Sequence, residues 1–314
     1  MVVQNPHPIL WNDKRYHTLN YYLRKKFGQK VFKIPLDAGF TCPNRDGTLS
    51  TDGCAFCSAR GSGDFAGNRE FDVKTQFKKT KEMMHKKWRN GKYIAYFQAF
   101  SNTYASISHL QNLYESALEE EGVVGLAIAT RPDCLPDEVL NLLNKFNKRT
   151  HMWVELGLQT IHNKTAQKMN LHYNYNTFLK ALDKLNSRNI EICAHIILGL
   201  PNETREQMLS TGKEIAKLPL QGIKIHLFHL MENTPLAKAN SNTLSFLTKE
   251  EYVDLVVDIL EYIPPEMVIH RLTGDSPRKL LIGPKWSLNK WEVLNSIDER
   301  MKARNTWQGR LREI

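Results

Sequence analysis

Seven short runs rich in apolar and β-branched residues alternate with helical patterns along most of the 314-residue chain. This alternation limits the available folds more than any other feature. The runs are Val31–Leu36, Tyr93–Phe100, Val123–Thr130, His151–Gln159, Ile190–Leu198, Gly222–Leu230 and Met267–Thr273. Helical patterns lie between them, near 74–90, 107–120, 136–148, 174–188, 203–217 and 248–262. Strands separated by helices are expected to pair in parallel, because a parallel neighbour can be reached only by a long crossover. Six or seven such units point to an α/β fold curled into a complete or partial TIM-type barrel. No internal repeat, low-complexity tract or interdomain linker interrupts the pattern. Residues 1–30 and 276–314 stand outside it, as a basic N-terminal arm and a basic, aromatic C-terminal extension to a barrel over 31–275.

Composition narrows the class. Hydrophobic residues make up 41% and charged residues 24%, as in a soluble globular chain. No apolar run reaches the roughly 18 residues that span a bilayer, and the first residues lack the apolar stretch of a secretory signal. Five cysteines suit neither a disulfide scaffold nor an oxidising compartment, so a cytoplasmic protein with no membrane association is expected.

The net charge of +10 is unevenly spread. Residues 1–33 carry a local +6, residues 74–92 a local +7 and residues 278–314 a local +5, while the remainder is net −8. These segments are either three solvated faces or three parts of one phosphate-binding surface. On a helix over 74–90, Phe77, Met84 and Trp88 fall on one stripe, expected to pack inward. Lys74, Lys78, Lys81, His85 and Arg89 fall on an adjacent stripe that must face water or a polyanion. Thr248 and Glu251 have the spacing of a capping box for the last helix.

Chemistry concentrates in 37–63, DAGFTCPNRDGTLSTDGCAFCSARGSG, directly after the first strand. Cys42, Cys54 and Cys57 form a C-x11-C-x2-C arrangement in a glycine-rich loop. Thiolates suit zinc or an iron–sulfur cluster. A structural zinc site needs a fourth ligand. A redox C-x-x-C leaves Cys42 without a role. A [4Fe–4S] cluster on three cysteines leaves one iron open to bind a ligand. The place of the loop, at the carboxyl end of a barrel strand, favours the last reading. Cys134 and Cys193 are expected to be packing residues.

These three cysteines, with Phe56 directly before the last, resemble the cluster loop of radical S-adenosylmethionine (SAM) enzymes. The long first gap resembles the branch of the Elongator catalytic subunit. The resemblance runs through nearly the whole chain. It includes RYHTLN at 15–20, GFTCPNRDG at 39–47, GSGDF at 61–65, TRPDCL at 130–135, ELGLQ at 155–159, HIILGLP at 195–201, RLTGD at 271–275 and PKWS at 284–287. These segments are similar to the YtqA-like bacterial subgroup.

The resemblance implies a partial (β/α)6-type barrel, with Cys42, Cys54 and Cys57 holding a [4Fe–4S] cluster. It further implies that SAM chelates the open iron and is cleaved by one electron to methionine and a 5′-deoxyadenosyl radical, which abstracts a substrate hydrogen. Ser101 and Asn102 are then candidates for the methionine amino group. Glu155, Gln159 and His195 are candidates at the reactive rim, the last two for the ribose, and Gly199 allows close backbone approach. Relatives often carry an Arg that anchors the SAM carboxylate; Leu171 stands there, which leaves Lys168 or His172 as substitutes.

The resemblance also implies tRNA as partner, with the 5-side chain of the wobble uridine remodelled from 5-carboxymethylaminomethyl toward 5-aminomethyl, and an electron donor for the cluster. Lys74, Lys78, Lys81, Arg271, Lys285, Trp286, Lys290 and Trp291 are the candidate tRNA contacts, since cations neutralise phosphates and aromatics stack on bases. Trp286 and Trp291 could equally close the open side of the barrel. Two other readings stay open: a radical SAM enzyme acting on a small molecule or peptide, and a non-catalytic RNA-binding protein with a structural zinc.

Overall fold

The computed structural model describes residues 10–312 apart from 62, 87, 89 and 241–243. Residues 1–9 of the basic arm, Ser62 of the GSGDF segment and Arg89 of the basic stripe therefore lie outside the described residues. Nine strands are present among those described: β1 (Val31–Leu36), β2 (Lys92–Phe97), β3 (Val123–Thr130), β4 (His151–Gln159), β5 (Glu191–Leu198), β6 (Gly222–Leu227), β7 (Leu230–Met231), β8 (Val268–Arg271) and β9 (Leu281–Gly283). The helices are α1 (Leu19–Phe27), α2 (Val73–His85), α3 (Ile107–Leu118), α4 (Asp137–Asn147), α5 (Asn163–Lys168), α6 (Tyr175–Asn186), α7 (Arg205–Lys217), α8 (Pro235–Asn240), α9 (Lys249–Tyr262) and α10 (Lys290–Ala303).

Seven strands form one parallel sheet in the order β1-β2-β3-β4-β5-β6-β8. The sheet curls into a partial TIM barrel that stays open between β1 and β8. All seven strand runs expected from the sequence are strands of this sheet. The helices α2, α3, α4, α6, α7 and α9 fill the expected crossovers. Short β7 and β9 pair separately and antiparallel, which returns the C-terminal segment to the barrel rim.

Strand alternation sorts the side chains. On β4, Met152, Val154, Leu156 and Leu158 enter the main core under the helices. Trp153, Glu155, Gly157 and Gln159 fall on the opposite, interior face. The outer positions join sheet and helices in one continuous apolar core. Thr248 and Glu251 complete the capping box of α9, each side chain bonding the other's backbone N–H.

The helix α1 was hidden from the strand–helix alternation. Leu23 of α1 is 2% exposed and packs with Val31, Ile94, Ala127, Trp153 and Cys193, which plugs the amino-terminal end of the barrel. The neighbouring chain is knitted to the C-terminal segment. Ile269 N–H donates to the His17 carbonyl at 2.7 Å, Gln308 N–H to the Arg15 carbonyl at 2.9 Å, and His17 N–H to Gln308 Oε1 at 2.7 Å. Lys14 pairs with Asp298. Residues 14–28 thus close the barrel bottom. Leu23→Ala should cost about 2–5 kcal/mol, the range for emptying a well-packed leucine site, as a fall in the midpoint of urea unfolding.

Candidate functional site

The open end of the barrel holds a cavity of about 420 Å³, lined from every strand of the large sheet. Cys42, Cys54 and Cys57 all stand in its wall. Their loop is held from several sides. Arg45 donates to the carbonyls of Cys57 and Ser58 at 3.1 and 2.7 Å. Asn44 Nδ2 donates to the Asn170 carbonyl at 2.6 Å, and Asn170 Nδ2 to the Gly53 carbonyl at 2.7 Å. Ala55 N–H donates to the Met169 carbonyl at 2.9 Å. Gly53 has φ +77°, and a Cβ there would meet Arg45 Nε at 2.7 Å, so the turn requires glycine.

The donor set fits a thiolate-ligated cluster. A hydrogen bond from Cys57, opposed by burial and helped by Arg131, brings the Cys54 thiol down to about 7. The Cys57 thiol is pushed up by that same bond and by burial. Cationic surroundings favour thiolate, the form that binds metal. Cys134 and Cys193 are buried packing residues at 4% and 1% exposure.

The other expected cofactor residues divide. Ser101, Gln159 and His195 line the same cavity as the thiols. Gln159 has φ +71°, an uncommon conformation for a non-glycine residue. Gly157 leaves room for its side chain, since a Cβ there would lie 2.9 Å from Gln159 Nε2. Asn102 does not line the cavity; its Nδ2 donates to the Ala129 carbonyl at 2.8 Å and ties β2 to β3. Gly199, φ +84°, is also outside the lining and turns the chain after β5.

Lys168 and His172, the expected substitutes for the missing arginine, are exposed and stand outside the cavity. The segment docks the cysteine loop, with Leu171 buried beside Ala55 and Cys54. Arg131, at the end of β3, lines the cavity. Its Nε and Nη2 fork onto Asp133 at 2.9 and 2.6 Å, and Nη2 also donates to the Leu171 carbonyl at 2.9 Å. Its Nη1 is buried and has no hydrogen-bond partner among the described residues. Arg131 is thus the guanidinium placed to meet an anion near the thiols, on a different strand from the one expected.

Glu155 has a different occupation from cofactor contact. It is 1% exposed, and four donors take its oxygens. Lys33 Nζ and Trp153 Nε1 donate to Oε1 at 2.6 and 3.1 Å. His195 Nε2 lies 3.0 Å from Oε2, and Lys224 bonds the same oxygen. Lys224 also donates to the Tyr96 hydroxyl at 2.9 Å. The network spans β1, β2, β4, β5 and β6 across the barrel interior. Burial would raise the Glu155 carboxyl, but Lys224, Lys33 and His195 outweigh it and hold the group well below the usual range. Burial lowers Lys224 to about 7 despite Glu155, with Lys33 and Arg271 adding repulsion. Burial and Lys224 bring His195 to about 4, so it is neutral near pH 7. Lys33 and Lys224 were missed in the sequence, although each is a lysine in the middle of an apolar strand run.

The expected tRNA contacts are less uniformly basic than their counts. Lys74 pairs with Glu119 at 2.8 Å and Lys81 with Glu121 at 3.0 Å; Lys78 is exposed on the same helix. The helix ends at His85, so Trp88 is not on its inner stripe and is 51% exposed. Arg300 and Arg304 pair with Asp254 and Asp258 of α9. Arg271 lines the cavity and pairs with Asp275 at 3.4 Å, as Lys290 does at 2.7 Å. Lys285 is exposed and bonds the Leu281 carbonyl. Trp286 donates to the Leu247 carbonyl at 3.0 Å and packs on Tyr252, closing the wall, whereas Trp291 is 76% exposed.

The Lys224 shift has a measurable consequence. Its ammonium titrates near 10.5 when exposed and near 7 when folded. Between those values the unfolded chain holds a proton that the folded chain lacks, so stability rises with pH and is flat below about 7. Unfolding free energies from about pH 7 to about pH 10 should climb more steeply in the wild type than in Lys224→Met. Parallel curves would contradict the assignment.

Comparison with known proteins follows the same lines. The model of the radical SAM superfamily matches residues 42–215, and that of the radical SAM C-terminal domain matches 220–303. The uncharacterized protein YtqA of Bacillus subtilis is 54% identical over 311 residues, covering 99% of this chain and 97% of that protein. A tRNA uridine(34) acetyltransferase of Methanocaldococcus jannaschii is 24% identical over 200 residues, 62% of this chain but 36% of the relative. The structure of Methanocaldococcus infernus Elp3 superposes with a TM-score of 0.68 at 17% identity, covering 88% of this chain and 64% of that one. This last likeness concerns the fold.

Proposed function

Because the chain belongs to the radical SAM superfamily, in its YtqA-like branch, we propose that it remodels the 5-side chain of the wobble uridine of tRNA, from 5-carboxymethylaminomethyl toward 5-aminomethyl. The observation that carries this reading is one cavity joining three thiols at the open end to a cation-rich interior. The likeness to a protein named tRNA uridine(34) acetyltransferase supports the choice of nucleic acid and of base. Members of the family use a [4Fe–4S] cluster and SAM, which supply a carbon-centred radical.

The chain's own residues do the rest. Cys42, Cys54 and Cys57 hold the cluster. Arg131 Nη1 would take the SAM carboxylate, and Ser101, Gln159 and His195 would line the cofactor. The unit over 31–275 performs the chemistry, and the start of the extension over 276–314, where Lys290 pairs with Asp275 of the cavity wall, supports docking of tRNA, while residues 14–28 of the arm over 1–30 close the opposite end. Phe65 lines the cavity and is 54% exposed, and Trp291 is 76% exposed and follows Lys290, which pairs with Asp275 of the cavity wall. Both are platforms on which an unstacked base can rest. An electron donor completes the system, and a reducing cytoplasm suits three open thiols. Among the described residues no helix is long and apolar enough to cross a membrane.

The direct test uses reduced, cluster-loaded protein. Formation of 5′-deoxyadenosine should rise on adding tRNA that carries 5-carboxymethylaminomethyluridine, and nucleosides from the digested tRNA should show its conversion. Turnover indifferent to tRNA, with nucleosides unchanged, sinks the proposal in favour of a small-molecule or peptide substrate. Zinc in place of iron and sulfide after anaerobic purification would point to the non-catalytic reading.

Trp291→Ala should weaken tRNA binding by roughly 1–3 kcal/mol, the range for one stacked base, with folding stability unchanged. Trp286→Ala should do the reverse, lowering the thermal midpoint first. Equal behaviour of the two variants in filter binding and thermal unfolding would remove Trp291 from the interface.

A further inference from the structure

The deep part of the cavity holds more positive charge than its carboxylate can balance. Lys33 and Lys224 share Glu155, and Lys33 also lies 3.7 Å from the centre of the Tyr96 ring. A carboxylate has about four acceptor positions, and Lys33, Trp153, Lys224 and His195 occupy them. Lys33 makes one hydrogen bond to a protein oxygen and Lys224 makes two. Each ammonium carries three N–H bonds, so donors remain on both. Arg271 brings another cation to the same wall, and its partner Asp275 is shared with Lys290. His226 Nε2 and His270 Nδ1, in the same lining, are buried without hydrogen-bond partners among the described residues. Two lysines on one carboxylate, drawn out of water, are costly to keep as ammoniums, so that Lys224 gives up its proton at about 7, and a further anion beside them offsets that cost.

We propose that Lys33 and Lys224, with His226 and Arg271 beside them, form a carboxylate-binding subsite that receives the acidic end of the substrate side chain. The reading deepens the tRNA proposal and rests on it for what bears the carboxylate. The anion enters from the open end of the barrel, completes the charge balance that Glu155 leaves unfinished, and sets the depth to which the side chain reaches. These lysines are positioning residues. The subsite is selective for a terminal acid: a side chain ending in an amine meets Lys33, Lys224 and Arg271 as like charges.

The methionine carboxylate of SAM is the other source of such an anion, and the experiment separates the two. In the holoenzyme with SAM bound, N-methylglycine should raise the thermal midpoint and N-methylglycinamide should not. The effect should vanish in Lys33→Gln. The acid–amide comparison on wild-type protein needs no variant, and equal shifts from both compounds overturn the subsite. For tRNA, wild type should bind the 5-carboxymethylaminomethyl form roughly ten- to a hundred-fold more tightly than the 5-aminomethyl form, as a charge-assisted hydrogen bond allows. Lys33→Gln should bind the two alike. A wild type that binds both forms equally overturns the subsite. A wild type that binds neither, yet is still stabilised by N-methylglycine, keeps the subsite and removes the tRNA reading. A large loss of SAM affinity in Lys33→Gln, with no acid–amide difference, assigns the anion to SAM and overturns the proposal.

Discussion

A single carboxylate organises the inside of this barrel. Glu155 accepts from side chains of three other strands, β1, β5 and β6, and from its own strand neighbour Trp153. Taking these charges out of water carries a large desolvation penalty, which only close, fully hydrogen-bonded geometry offsets. The positions of β1, β2, β4, β5 and β6 are therefore bound to one another through polar contacts as well as through the ladder. An open sheet lacks the strand pairing that closes a full barrel, and its interior must hold itself together by side chains. Here the same side chains shape the cavity.

The thiol loop depends on that frame at one remove. It leaves β1, carries Cys42, Cys54 and Cys57, and is docked on the turn after α5 by Asn44, Asn170 and Ala55. The turn at Met169–Leu171 lacks the arginine that the family resemblance leads one to expect. Its main-chain carbonyls instead receive the cysteine loop and the Arg131 guanidinium. A guanidinium does reach this turn, from the residue that follows β3. Radical chemistry needs its reacting groups held in fixed relation and away from water, and this arrangement draws both the loop and the guanidinium to one anchor.

The seven parallel strands, the barrel and the thiol loop were legible in the sequence because each rests on a local signal: apolar, β-rich runs, their alternation with helical patterns, and cysteine spacing. The plug helix α1 was not, because LNYYLRKKF has a weak apolar face and a strongly basic one, and only the contacts of Leu23 show which side is inside. Lys168 was a reasonable substitute by proximity in sequence, but a helix end directs it to solvent while Arg131 arrives from another strand. The counts of the three basic segments overstate their free charge. Formal charge does not reveal that α9 supplies aspartates to Arg300 and Arg304, or that α3's end supplies glutamates near Lys74 and Lys81. Lys33, Glu155, His195 and Lys224 carried a readable sign, an ionisable residue at the centre of an otherwise apolar strand. Their meeting is a matter of tertiary register, which no single segment contains.

The seam between residues 14–17 and 298–308 bears on how the protein comes to be. Its hydrogen bonds join positions 284 to 293 apart in the chain. On a ribosome the early partner emerges long before the late one, so the bottom of the barrel stays unsealed until nearly all of these strands exist. Contacts of such separation come late and slowly in folding. During that interval the apolar lower interior is open to water from below and the thiols are open from above. The nascent protein thus passes through a stage accessible from both ends, and becomes a one-mouthed vessel only when the late segment clasps the early one.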